Sequence, residues 1–172
     1  VEIAKRFEDE EVDSALEETP RDREMAVALS EMRLLKDAQE VRELSAAIAS
    51  TKRGFEDVIA GLRTARHERE VEGIFNLRAR VEGNDIGYNT IAAAGEHACI
   101  LHWMKNEGDV RPGTLLLLDA GVEAHSLYTA DITRTLPVSG RFSREQRQVY
   151  ELVHAAQSAA FDQVRPGRDF LE

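Results

Sequence analysis

Four consecutive leucines that run into a carboxylate, Leu115-Leu116-Leu117-Leu118-Asp119, constrain this chain more than any other feature. A segment apolar on both faces reads as an interior strand. A second strand candidate, Tyr128 to Thr135, alternates: Thr129, Asp131, Thr133 and Thr135 share one face, and Tyr128, Ala130, Ile132 and Arg134 the other. Gly121 to Ser126 can supply a turn between them. A hairpin centred on His125 sets Asp119 opposite Asp131, with Cβ atoms roughly 4.5–5.5 Å apart. Two carboxylates that close in an apolar setting repel, and one would stay protonated unless a cation intervenes. One divalent ion, or a pair, removes the repulsion and takes both groups as oxygen ligands. The plainer alternatives are a strand-end carboxylate that caps the Gly121 turn and a surface aspartate on a polar strand. Burying Asp119 behind four leucines without a partner is costly, which favours metal. Thr133, beside Asp131 on the same face, is placed to hydrogen-bond a ligand from behind.

Helices surround this pair of strands. Apolar residues recur at helical spacing from Ala38 through Val41, Leu44, Ala47, Ile48, Thr51, Phe55, Val58 and Ile59 to Leu62, which predicts a long amphipathic helix from Asp37. A second helix is expected from Glu68 to Val81, stopped by Gly83. Strands are expected at Tyr88–Ala94 and Ala98–Trp103, separated by Gly95-Glu96-His97. Arg111-Pro112-Gly113 marks a turn into the leucine strand. Ser143 and Gln146 form a capping box for a last helix, whose stripe is Val149, Leu152, Val153, Ala156, Ala160 and Val164. The order predicts an α+β sandwich with helices over one face of a mostly antiparallel sheet. Residues 1–30, acidic at Glu8-Asp9-Glu10-Glu11, read as a linker or the end of an upstream domain, and residues 31–172 as the domain proper.

Composition removes several functional classes. With a net charge of -10 and no Lys/Arg blocks, neither nucleic acid nor an anionic membrane is the expected partner. No apolar run approaches the roughly 18 residues of a membrane span. The single cysteine, Cys99, excludes an internal disulfide and suits a reducing cytosol, so a cytoplasmic location is expected. Val1 in place of Met suggests that the natural chain starts earlier.

The motifs Arg33-Leu34-Leu35-Lys36-Asp37, Cys99-Ile100-Leu101-His102-Trp103, Leu118-Asp119-Ala120-Gly121 and Asp131 to Gly140 together resemble the Xaa-Pro aminopeptidases, in order, from about Glu31 to Arg168. These belong to the pita-bread metallopeptidases, with prolidase, methionine aminopeptidase and creatinase as relatives. The resemblance implies the first half of a pita-bread catalytic domain. It implies that Asp119 and Asp131 are the first two of five ligands to two divalent ions, commonly manganese, with Asp131 bridging. It also implies that His102 hydrogen-bonds the peptide near the scissile bond. On spacing alone a lone histidine that ends an apolar strand is more often structural; only the resemblance assigns His102 to catalysis. The family's other ligands, one histidine and two glutamates, match nothing before Glu172, so a fragment inactive by itself is expected. The eleven residues between the aspartates are one more than is usual in the family, and a longer turn or a bulge can absorb the extra one.

The implied substrate is a peptide with proline second. The rivals are an Xaa-Pro dipeptidase (prolidase) and a non-catalytic pita-bread interaction protein. Homo-oligomer formation stays open. His67, His125 and His154 read as solvated, and His97 as facing away from the site. Tyr128 could touch substrate, but an aromatic in a strand is more often packing; Trp103 is explained at least as well by core packing as by a pocket wall.

Overall fold

The structure, a computed structural model, describes residues 19–169. Contacts divide the chain into two units, Val1–Val41 and Arg42–Glu172. The acidic cluster at residues 8–11 lies outside the described residues.

In the first unit Thr19-Pro20 starts a helix, α1 (Pro20–Leu34). The Thr19 hydroxyl accepts from the Asp22 N–H while the Asp22 carboxylate accepts from the Thr19 N–H, and proline at the first position costs no hydrogen bond. No residue of α1 is buried. Asp37 caps the next helix by accepting from the N–H groups of Gln39 and Glu40.

That helix, α2 (Ala38–Gly61), and α3 (Glu68–Glu82) form where apolar spacing predicts them. Ala47, Thr51, Phe55, Val58 and Leu62 are buried, three or four residues apart. Ile48 and Ile59 fall off that face and are half exposed. Gly54, a weak point by helix propensity, is where the Phe75 ring enters: a Cβ there would lie 2.6 Å from the ring edge. Phe55 meets the same ring edge-to-face at 5.9 Å.

Between the two helices, Glu82 accepts from Ser50, Arg53 and Arg78, and Arg78 also reaches Asp57 at 2.6 Å. The hydrogen bonds from Arg53 and Ser50, outweighing partial burial, hold the Glu82 carboxyl at about 2. Its folded value lies below the ordinary one, so it stabilises above about pH 4.5 and loses that contribution as the pH falls toward 2. We expect Glu82→Gln to lower the melting temperature at pH 7 and to flatten its decline between pH 4.5 and 2. Parallel melting curves of the two proteins across that window would contradict this.

The main sheet has three antiparallel strands in the order β2 (Ile91–Ala94), β3 (Leu115–Ala120) and β5 (Ile132–Pro137). The leucine strand is central, as its apolarity predicts. Leu116, Leu118 and Ala120 are buried in one core with α2 and α3, whereas Leu115, Leu117 and Asp119 on the other face are half buried. Helices thus cover one face, and the aspartates lie on the opposite one.

At Gly121 the chain leaves this sheet for a small second one, in which β4 (Val122–Glu123) pairs with β1 (Asp85–Ile86). The Val122 N–H, lost to the main ladder, donates to the buried Thr51 hydroxyl of α2 at 2.9 Å. Thr51 in turn donates to the Ala47 carbonyl.

Two expectations fail here. Residues 98–103 form no strand: Gly95 (φ 58) turns the chain into a short 3-10 helix (Gly95–Cys99), and Ile100 and Leu101 are left exposed. The last helix, α4 (Arg144–Phe161), starts at Ser143 with the expected Gln146 capping box. Its apolar stripe, however, is exposed at Val149, Leu152, Val153 and Val164. No element among the described residues packs on that side, and amphipathic spacing reports a face without naming what covers it.

Candidate metal centre and the adjoining loop

Both aspartates project from the uncovered face of the sheet, and the hairpin decides how they meet. Its loop is His125–Leu127: Ala124 N–H donates to the Tyr128 carbonyl and Leu127 N–H to the Ala124 carbonyl, both at 2.8 Å. Leu127 takes φ 67, the left-handed residue that closes a three-residue hairpin loop. The centre is therefore Ser126, not His125. Asp119 pairs with Thr133, and Asp131 falls just before the ladder that begins at Ala120↔Ile132. This corrects the expected direct opposition to a diagonal one. Moving the turn centre by one residue moves each partner by two, an even step that keeps both carboxylates on one face.

A residue outside the hairpin joins them. Tyr88, in the bend between β1 and β2, places its phenol oxygen 2.6 Å from Asp119 Oδ1 and 2.9 Å from Asp131 Oδ1. Burial first, then the hydrogen bonds to both carboxylates, pushes the Tyr88 phenol far above its ordinary value. It therefore stays protonated and serves as a donor. In the sequence Tyr88 only begins the strand expected at Tyr88–Ala94, and no motif singles it out. Thr133 is exposed on the same face, one cross-strand step from Asp119.

As a donor set, two carboxylates on one sheet face suit a hard divalent ion, and here both Oδ1 atoms meet the Tyr88 phenol. They are two ligands and not a full shell: no group of three or more His, Cys, Asp or Glu that could hold a metal occurs among the described residues.

His102 is exposed and lies in a turn at φ 54, not at a strand end. Its loop returns beside β2. The Asn106 side chain, wholly buried, accepts from the Ala92 N–H and donates to the Thr90 carbonyl, so it acts as a missing strand along that edge. Asn89, next to Tyr88, reaches the Met104 sulfur at 3.7 Å.

Glu68, 0% exposed in the first turn of α3, organises this loop. Its carboxylate accepts from Ala94 N–H (2.7 Å), Trp103 Nε1 (2.9 Å) and Gly108 N–H (2.7 Å), and contacts His97 Nδ1 at 2.9 Å. Burial raises its carboxyl, but these donors together outweigh that and hold it below the ordinary value. The sequence contains one trace of this: Glu68 shares the buried face of α3 with Val71, Phe75 and Ala79. A charged residue in phase with an apolar stripe asks for buried partners. His97 stacks on Trp103 at 4.0 Å, and His67, expected to be solvated, instead caps α3 by accepting from the Arg69 N–H.

Known proteins resemble this chain in sequence and fold. Residues 42–172 match Metallopeptidase family M24. Xaa-Pro aminopeptidase 1 of Streptomyces coelicolor is 59% identical over 155 residues, which are 87% of this chain and 32% of that protein. Xaa-Pro aminopeptidase 2 of the same organism is 56% identical over 171 residues, 94% of this chain and 36% of its own. A zinc-substituted Escherichia coli aminopeptidase P solved with product superposes with a TM-score of 0.72 at 36% identity, over 79% of this chain and 31% of that one. The architecture is that of the aminopeptidase P structures, the α+β pita-bread fold. The chain belongs to Metallopeptidase family M24. It spans about a third of the length of the relatives it matches.

Proposed function

We propose that this chain is the first part of the catalytic domain of a longer, metal-dependent Xaa-Pro aminopeptidase, with the domain proper running over residues 31–172. The observation that carries the reading is the convergence of Asp119 and Asp131 on the Tyr88 phenol, on the sheet face that no helix covers. Asp119 and Asp131 would hold two divalent ions, manganese by preference, with further ligands from outside this chain. Such a pair supplies Lewis acidity and activates water at neutral pH.

The chain's own residues supply the setting. Tyr88 links the two carboxylates through its hydroxyl and so orients both, and Thr133 offers a hydroxyl beside them. His102 offers an imidazole to a bound peptide close to the scissile bond, where such donors contribute about 3 kcal/mol. An amide to proline has no N–H, and a pocket that demands none would select it. The acidic charge and single cysteine fit a cytoplasmic enzyme, and no helix among the described residues is long and apolar enough to cross a membrane.

The test is hydrolysis of a manganese-supplemented tripeptide with proline second by the full-length protein. Release of the first residue is expected. Cleavage of Xaa-Pro dipeptides alone would favour prolidase, and no hydrolysis of either would favour an interaction protein. The 172-residue chain assayed alone is expected to be inactive, since two ligands hold manganese weakly.

A further inference from the structure

We propose that Glu68, with His97 and Trp103, is the positioning device for His102: one buried carboxylate sets where the imidazole stands. The inference rests on the reading that His102 contacts the peptide.

His102 cannot hold its own place. It is exposed and left-handed, follows exposed Leu101, and among the described residues has only a backbone bond, from the Met104 N–H to its carbonyl. What fixes its loop is Glu68, which ties the segment at its start (Ala94), in its middle (His97, Trp103) and at its end (Gly108). The Glu68 N–H also donates to the Gly108 carbonyl at 2.9 Å, closing the loop's end onto the helix. Trp103 is the residue next to His102, so its indole N–H bond to Glu68 Oε2 and its stack on His97 act one residue from the imidazole. A neutral amide at position 68 could not accept from four donors around one carboxylate, and its NH2 would face N–H groups. The Glu68 side chain touches neither Asp119 nor Asp131, so disturbing it should move His102 and spare the metal ligands.

Trp103→Phe tests this without removing the buried charge, because an aromatic ring remains beside His97 while the indole N–H and the rest of the second ring are lost. In the full-length protein we expect kcat/KM for the proline-second tripeptide to fall about tenfold, the equivalent of one hydrogen bond. Manganese affinity should stay within about twofold. In a His102→Ala background the same substitution should cost less than about twofold, because a positioning residue has nothing left to position. A full tenfold loss in that background would overturn the inference and leave Trp103 merely structural. A wild-type protein with no proline-second activity would count against the proposed function instead. The inference is then read by NMR of the histidine side chains, with the His102 signal identified by its loss in His102→Ala. In Trp103→Phe and Glu68→Gln that signal should shift or broaden; an unmoved signal would refute positioning whatever the activity.

Discussion

Asp119→Asn in the full-length protein should lower kcat for a proline-second peptide by on the order of a thousandfold, several kcal/mol of lost metal assistance. The substitution keeps size and shape, and the amide oxygen can still accept from Tyr88 at the 2.6 Å position. What it removes is the charge that makes this atom a ligand for a hard ion. Manganese titration should show at least tenfold weaker binding, while the melting temperature of the metal-free protein stays the same or rises. The rise would come from relief of repulsion between two carboxylates that share one phenol proton. Wild-type metal affinity in the variant would remove Asp119 from the ligand set. The companion variant Tyr88→Phe should weaken metal binding by only about tenfold, the usual scale for a group that orients ligands.

Gly121→Ala should cost at least about 3 kcal/mol and lower the melting temperature by about 6–12 °C. A Cβ at this buried corner would lie 1.6 Å from the Ala130 carbonyl oxygen and 3.1 Å from the Tyr88 ring. The first contact is backbone, so no rotamer change relieves it, and the two limbs of the hairpin must separate. The constraint is space, because Gly121 is not among the residues with positive φ. Since Asp119 and Asp131 flank this approach from the two limbs, the same change should also weaken manganese binding. Far-UV circular dichroism against temperature measures the first effect. An unchanged melting temperature would mean that the hairpin is looser at Gly121 than the described contacts allow.

Helices α2, α3 and α4, the Ser143 cap, the Gly83 stop and the central leucine strand were all readable in the chain. Each rests on energies between residues within about one helical turn or one strand pair. The identity of the two aspartates as a pair was readable for the same reason: strand alternation puts 119 and 131 on one face for any turn that shifts partners by two. The register between them was not, because it depends on Leu127 accepting a left-handed conformation, which a leucine does not advertise. Nor was the loop that carries His102. Its apolar run Cys99-Ile100-Leu101 resembles a strand, yet one carboxylate 29 to 35 residues earlier in the chain, Glu68, draws His97 and Trp103 away from that conformation. By itself, then, the sequence determined the three long helices and the central strand, the shared face of the aspartates and the resemblance to a family. Tertiary structure alone decided that Tyr88 joins the carboxylates and that Glu68 shapes the loop. Both depend on buried polar groups finding partners distant in sequence, and burial is a property that only the assembled fold confers.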